Sequence, residues 1–151
     1  FSLYGERVGA LTMVTASKEE TAPVLSQLKR VIRTNYSNPP THGAKVVAAV
    51  LTNPELYALW EEELAEMRDR IRDMRAALVQ KLQEAGVEQD VSFIQRQRGM
   101  FSFSGLSKEQ VARLADEFGI YAVGSGRICV AALNNSNIDA VAQAMAAVMK
   151  A

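Results

Sequence analysis

From Asn53 and Pro54, an N-cap residue followed by a favoured first-turn residue, nothing in the chain breaks a helix until Gly86. Trp60, Leu64, Met67, Ile71, Met74 and Leu78 follow one another at spacings of 4, 3, 4, 3 and 4, which makes one continuous apolar stripe. About 32 residues at about 1.5 Å each give a rod of about 48 Å. A compact globule of this chain's 151 residues has a radius of gyration of about 15 Å, hence a diameter of about 38 Å. The predicted helix outreaches the domain that such a chain could build by itself.

A second feature points the same way. Residues 8–15 read VGALTMVT, an almost wholly apolar run between the charged pair Glu6, Arg7 and the polar group Ser17 to Glu20. That pattern predicts a strand buried on both faces, as in a parallel sheet. No further strand pattern follows for about 75 residues, so its neighbours are not local. Together the long helix and the partnerless strand lead us to expect the later portion of a larger protein.

The other elements follow from caps and breakers. Ser17 with Glu20 is a capping-box pattern that opens a helix carrying Val24, Leu25, Leu28, Val31 and Ile32. Pro39 and Pro40 require it to end by Asn38. A short helix is predicted over residues 44–51. After Gly86 the texture changes: strands are expected at 91–94, 100–103, 120–123 and 128–133. A helix capped by Ser107 and Gln110 runs to Phe118, and a last helix opens at Asn135 or Ser136. These form a small α+β unit at the end of the long helix.

Charge and composition narrow the function. Seventeen basic residues balance seventeen acidic ones, so the chain lacks the basic footprint that nucleic acid or an anionic membrane selects. No apolar stretch approaches the roughly 20 residues that span a bilayer. The single cysteine, Cys129, makes no internal disulfide and reads as a small buried hydrophobe in a reducing, cytoplasmic setting. HExxH, CxxC, GxSxG and GxxxxGK[ST] are all absent, which leaves zinc hydrolysis, thiol redox, the serine elbow and P-loop chemistry without support. The lone histidine, His42, reads as a structural hydrogen-bonding group. The charges from Glu66 to Arg75 read as the solvated face of the long helix, with pairs such as Glu66 and Arg70.

Three arginines stand out. Arg7 lies between glycines in LYGERVG, Arg127 follows two glycines in GSGRICV, and Arg33 precedes the rigid turn NYSNPP. Guanidinium stays charged and offers a planar fork suited to carboxylate or phosphate. On spacing alone a structural role remains the simpler reading of each.

FSLYGERVG, RTNYSNPPTHGA, QRGMFSFSGL, EFGIYAVGSGR and ICVAALN, in this order, resemble the C-terminal part of a pyridoxal-phosphate-dependent aminotransferase of the aspartate and aromatic-amino-acid group. The resemblance covers essentially the whole chain. It implies an α/β protein of fold type I. Residues 1–53 would be the end of a large cofactor-binding domain with a mostly parallel sheet, 54–86 a long interdomain helix, and 87–151 a small α+β domain. It implies that Arg7 binds the phosphate of pyridoxal phosphate and that Arg127 pairs with the substrate α-carboxylate. Arg33 would reach the neighbouring subunit's site in a homodimer and pair with a side-chain carboxylate, and Phe101 would wall the site near Arg127. The family's Schiff-base lysine stands just upstream of the Phe1 position, and none of the six lysines here has its context. No catalytic residue is therefore expected in this chain, and the isolated piece is expected to be inactive. The implied reaction is exchange of amino groups between L-amino acids and 2-oxo acids such as 2-oxoglutarate. FSLYGERVG, QRGMFSF and CVAALN lean toward the aromatic side, with a strict aspartate enzyme as the alternative. A non-catalytic module pairing its helical stripe with a partner helix is the more distant reading.

Overall fold

The computed structural model describes residues 1–150, and the chain divides between Glu61 and Glu62, inside its longest helix, into two units. In the first unit, residues 1–16 hold a turn at 4–6 and otherwise no regular secondary structure, followed by α1 (Lys18–Tyr36), α2 (His42–Thr52) and the first turns of α3 (Pro54–Glu84). Ser17 caps α1 by accepting the Glu20 N–H at 3.3 Å, and Glu20 reaches back to accept from the Ala16 N–H at 2.8 Å. At the other end Arg33 donates to Ser37 Oγ at 2.7 Å, and Ser37 turns the chain with φ of +70° just before the two prolines. Asn53 caps α3 as expected, its Oδ1 accepting from the N–H groups of Glu55 (3.0 Å) and Leu56 (3.1 Å). The Phe1 ring stacks on Trp60 at 5.1 Å.

Residues 8–15 are not a strand. They have no ladder partner among the described residues, and their apolar side chains are exposed, Val14 to 94%. A strand buried on both faces needs neighbours on both edges and layers above and below. The composition of the run is right for such a site, but the described residues supply no such neighbours.

The second unit surrounds the C-terminal half of α3 with α4 (Phe93–Arg96), β1 (Phe101–Phe103), α5 (Lys108–Phe118), β2 (Arg127–Cys129) and α6 (Ile138–Lys150). Its core joins Leu78 and Leu82 of α3 to Ile94, Leu114, Val130, Met145 and Val148, all essentially without solvent exposure. The capping box at α5 is complete: Ser107 and Gln110 exchange side-chain to backbone bonds at 3.2 and 2.9 Å. Gly119 closes that helix in the left-handed conformation, φ +67°. Gln110 also donates to the Val148 carbonyl at 3.0 Å, tying α5 to the end of α6. Lys81 pairs with Asp139, and the pairing raises the lysine pKa. β1 and β2 form one antiparallel pair with Phe101 opposite Cys129, Ser102 opposite Ile128 and Phe103 opposite Arg127.

Four sequence expectations shift here. Residues 91–94 contain no strand; Asp90 Oδ1 accepts the Ser92 N–H at 2.8 Å and starts the turn of α4, which buries Val91 and Ile94 one helical turn apart. Residues 120–123 contribute only a single bridge, Val123 to Arg127, because the glycine-flanked turn brings the chain straight back. The strand expected at 128–133 stops at Cys129 and tightens into a 3-10 turn at Val130–Ala132. The last helix begins at Ile138, with Asn134 and Asn137 bonding each other's backbone N–H groups at its start. The long helix runs for 31 residues, but its stripe is split: Met74 and Leu78 are buried while Leu64 and Met67 are exposed. No helix among the described residues is long and apolar enough to cross a membrane.

Leu78→Ala in the 151-residue chain therefore lowers the unfolding free energy by about 2 to 5 kcal/mol, read by urea denaturation. Val14→Ala changes it by no more than about 0.5 kcal/mol.

Candidate functional site

Arg127 is the first residue of β2, and its guanidinium carbon lies 4.9 Å from the centroid of the Phe101 ring on β1. A planar cation over an aromatic face is attracted by the ring quadrupole and keeps its N–H edges available for an anion. Among the described residues no carboxylate pairs with it. The turn preceding it is fixed by Gly126, whose φ is +80° and where an added Cβ would stand 2.7 Å from the Leu106 carbonyl oxygen. The Gly126 carbonyl in turn accepts from the Ser104 N–H (2.9 Å) and hydroxyl (2.7 Å) at the end of β1.

The two strands bond each other through alternate residues. Val130 N donates to the Met100 carbonyl at 2.8 Å and Ser104 N to Gly126 at 2.9 Å, which sets the backbone groups of Phe101 and Phe103 on the outer edge of β1. Side chains close that edge. Gln97 accepts the Phe103 N–H at 2.7 Å and donates to its carbonyl at 2.9 Å, as a paired backbone amide would. Arg75 takes the Phe101 carbonyl and the acceptors around it: Nη2 donates to Gly99 O (2.7 Å) and Phe101 O (2.8 Å), and Nη1 donates to Ile94 O (3.0 Å) and Ser102 Oγ (2.7 Å). The Ser102 hydroxyl in turn donates to Gln97 Oε1 at 2.8 Å. Burial, and secondarily the Arg98 charge, lower the Arg75 pKa, though a guanidinium remains a cation at neutral pH.

Arg75 corrects the reading of residues 66–75 as a solvated face, since it is only 3% exposed. Arg70 corrects it too: instead of pairing with Glu66, it donates to the carbonyls of Ala131 (3.2 Å) and Leu133 (3.0 Å) beyond β2. The signal for Arg75 was present in the spacing. It stands four residues after Ile71 and three before Leu78, on the apolar stripe itself.

In the first unit Arg7 is exposed and adopts φ of +52°, a conformation uncommon outside glycine. Arg33 is exposed at the end of α1, held by Ser37. Neither pairs with a carboxylate among the described residues. His42 Nδ1 lies 3.0 Å from Glu6 Oε2, so the start of α2 is tied to the ERVG segment. The same docking leaves no room for a side chain at Gly43, where a Cβ would stand 2.9 Å from that of Glu6. The structure thus brings Arg127 and Phe101 together in one unit, and Arg7 and Arg33 belong to the other. No group of three or more metal-ligating side chains is assembled among the described residues.

Residues 1–145 match the family model described as aminotransferase class I and II, and the chain belongs to that family. It is 67% identical to the aspartate aminotransferase of Pseudomonas aeruginosa over 149 residues, which are 99% of this chain and 37% of that protein. With the aromatic-amino-acid aminotransferase of Escherichia coli it shares 52% over 149 residues, 99% of this chain and 38% of that protein. The crystal structure of the Burkholderia pseudomallei aromatic-amino-acid aminotransferase, covalently bound to pyridoxal phosphate, superposes with a TM-score of 0.92 at 70% identity, over 98% of this chain and 37% of that one. The chain spans little more than a third of the length of these relatives. Its fold class is that of the pyridoxal-phosphate-dependent aminotransferases, mostly helical in this piece with a small sheet.

Gly126→Ala forces a Cβ against backbone and a side chain into left-handed φ, at a cost of at least about 1 to 2 kcal/mol. A thermal melt of the variant shifts down accordingly, whereas an unchanged melt would contradict the close approach.

Proposed function

We propose that the full-length protein is a transaminase that exchanges amino groups between aromatic or dicarboxylic L-amino acids and 2-oxo acids such as 2-oxoglutarate, using pyridoxal phosphate. The observation that carries this reading is Arg127, which lies over the Phe101 ring without a carboxylate partner among the described residues in a chain of aminotransferase family. Aspartate and aromatic relatives both match at high identity, so the two substrate classes enter together.

The residues present fit the cofactor by the chemistry of their donors. Arg7 offers an exposed guanidinium beside the Gly5 and Gly9 backbone, where an added Cβ would meet nothing within 4 Å, an environment suited to a phosphate dianion. Pyridoxal phosphate, when bound, supplies an electron sink for the bond broken at the substrate Cα. Arg127 takes the α-carboxylate through its two parallel N–H groups and so fixes which substituent of Cα faces the reacting centre. Phe101 lies against one face of that planar guanidinium and orients it. Arg33 takes the side-chain carboxylate of dicarboxylic substrates, in a homodimer where it serves the neighbouring subunit's site. The proton-transferring lysine belongs in this reading to a segment outside the 151 residues. Residues 1–53 then belong to the large domain, 54–86 to the interdomain helix and 87–151 to the small domain of a cytoplasmic enzyme.

Arg127 is exposed in this chain, and in this reading the bound substrate desolvates its carboxylate pair; removing one partner of such a pair costs about 2 to 5 kcal/mol. Arg127→Ala in the full-length enzyme therefore lowers kcat/KM for every amino acid by at least about 30-fold, and a loss within about threefold contradicts the assignment. Arg33→Ala reduces kcat/KM for aspartate far more than for phenylalanine or tyrosine, and equal losses on all three contradict its role. The visible absorbance of the full-length protein with pyridoxal phosphate shifts when an amino acid is added; a spectrum indifferent to amino acids contradicts the reading as a whole.

A further inference from the structure

We infer that Arg75 is a positioning residue for substrate carboxylate binding: it acts through β1 and the Phe101 ring to hold the Arg127 guanidinium in place. The inference rests on the proposed role of Arg127 and goes beyond it by naming what fixes that residue. β2 is three residues long, and its only strand partner among the described residues is β1, also three residues long. A two-stranded sheet of that size is marginal unless something closes its free edge. The four bonds of the Arg75 terminal nitrogens reach Ile94 before β1, Gly99 at its approach, Phe101 O on its edge and the Ser102 hydroxyl on its face. Only a guanidinium has enough coplanar N–H groups to satisfy all four at once.

Phe101 links this network to Arg127. Its carbonyl is held by Arg75 at 2.8 Å, and its ring lies 4.9 Å from the Arg127 guanidinium carbon. A change in the path of β1 moves the ring and therefore the cation above it. Arg70 acts from the same helix on the far side, holding the Ala131 and Leu133 carbonyls beyond β2. Two arginines of α3, five residues apart in the sequence, thus fix the strand pair at its free edge and beyond its far end. Arg75 has no carboxylate partner among the described residues, so the acceptors that balance its buried charge are those of the β1 region.

The test uses the full-length enzyme with pyridoxal phosphate and glutamate. Arg75→Met raises KM by about tenfold or more, as expected for a binding group displaced by a fraction of an ångström, while kcat stays within about threefold. The dissociation constant of pyridoxal phosphate, followed by absorbance, does not change. Arg75→Lys, with three donors instead of a fork, gives a KM between those of the two. In the Arg127→Ala background the further change Arg75→Met alters KM by less than about twofold, because the two act through one contact. A purely structural Arg75 lowers the melting temperature and leaves KM per active site unchanged, and that result overturns the inference. If Arg75→Met does not fold, Ser102→Ala decides: a KM raised about threefold or more supports the inference, and a smaller change overturns it. Should Arg127→Ala itself leave KM unmoved, the reading of Arg127 falls and this one with it. A KM raised by Arg127→Ala but not by Arg75→Met overturns the positioning role alone.

Discussion

A buried cation normally requires an anion, and Arg75 is buried without one among the described residues. Its charge is balanced by three carbonyl dipoles and a hydroxyl, charge-assisted bonds that are individually stronger than neutral ones. Those acceptors lie along one short stretch, from Ile94 to Ser102. The segment cannot wander without stranding the guanidinium in a low-dielectric interior. Satisfying one side chain therefore specifies the path of β1, and through the register of β1 with β2 the position of Arg127.

The helix that delivers Arg75 does so because of its pattern. Met74, Leu78 and Leu82 bury into the second unit, and Arg75 projects from the same stripe. Gln97 completes the device with an amide that bonds the Phe103 backbone as a neighbouring strand would. The motif QRGMFSF thereby has a local explanation: Gln97 for the edge, Gly99 for a φ of +85° ahead of the strand, Phe101 under the cation, Ser102 for the bridge to Arg75. The remaining arginines meet other demands. Arg7 and Arg33 leave their guanidinium groups exposed at segment ends, and the neutral net charge of the chain says nothing against small anions held one at a time.

How far the sequence was legible depended on whether the signal was local. Ser17, Asn53 and Ser107 announced α1, α3 and α5 because a cap bonds within three residues of itself. The Phe101 and Arg127 neighbourhood came from the family resemblance, not from spacing, since the two residues meet across a strand pair separated by α5. In residues 8–15 the apolar run states a preference for burial, but a strand exists only where partners pair with it, and none is found among the described residues, in line with neighbours that are not local. Residues 91–94 were misread because Val91 and Ile94 suit a helical turn as well as a strand in so short a run. Arg75 was missed because charge outweighed position: its spacing placed it on the buried face, and a surface reading was assigned from residue type.

The most direct measurement is amide hydrogen exchange at Phe103, whose N–H is held by the Gln97 side chain instead of by a strand. Phe103 is expected to exchange within about tenfold of the Val130 amide, which bonds the Met100 carbonyl at the end of the strand pair, and Arg75→Met is expected to accelerate Phe103 selectively while α6 amides keep their protection. A Phe103 amide whose exchange Arg75→Met leaves unchanged would contradict the central role given to Arg75, and one that exchanges as fast as an unprotected residue in the unsubstituted protein would contradict the closed edge of β1.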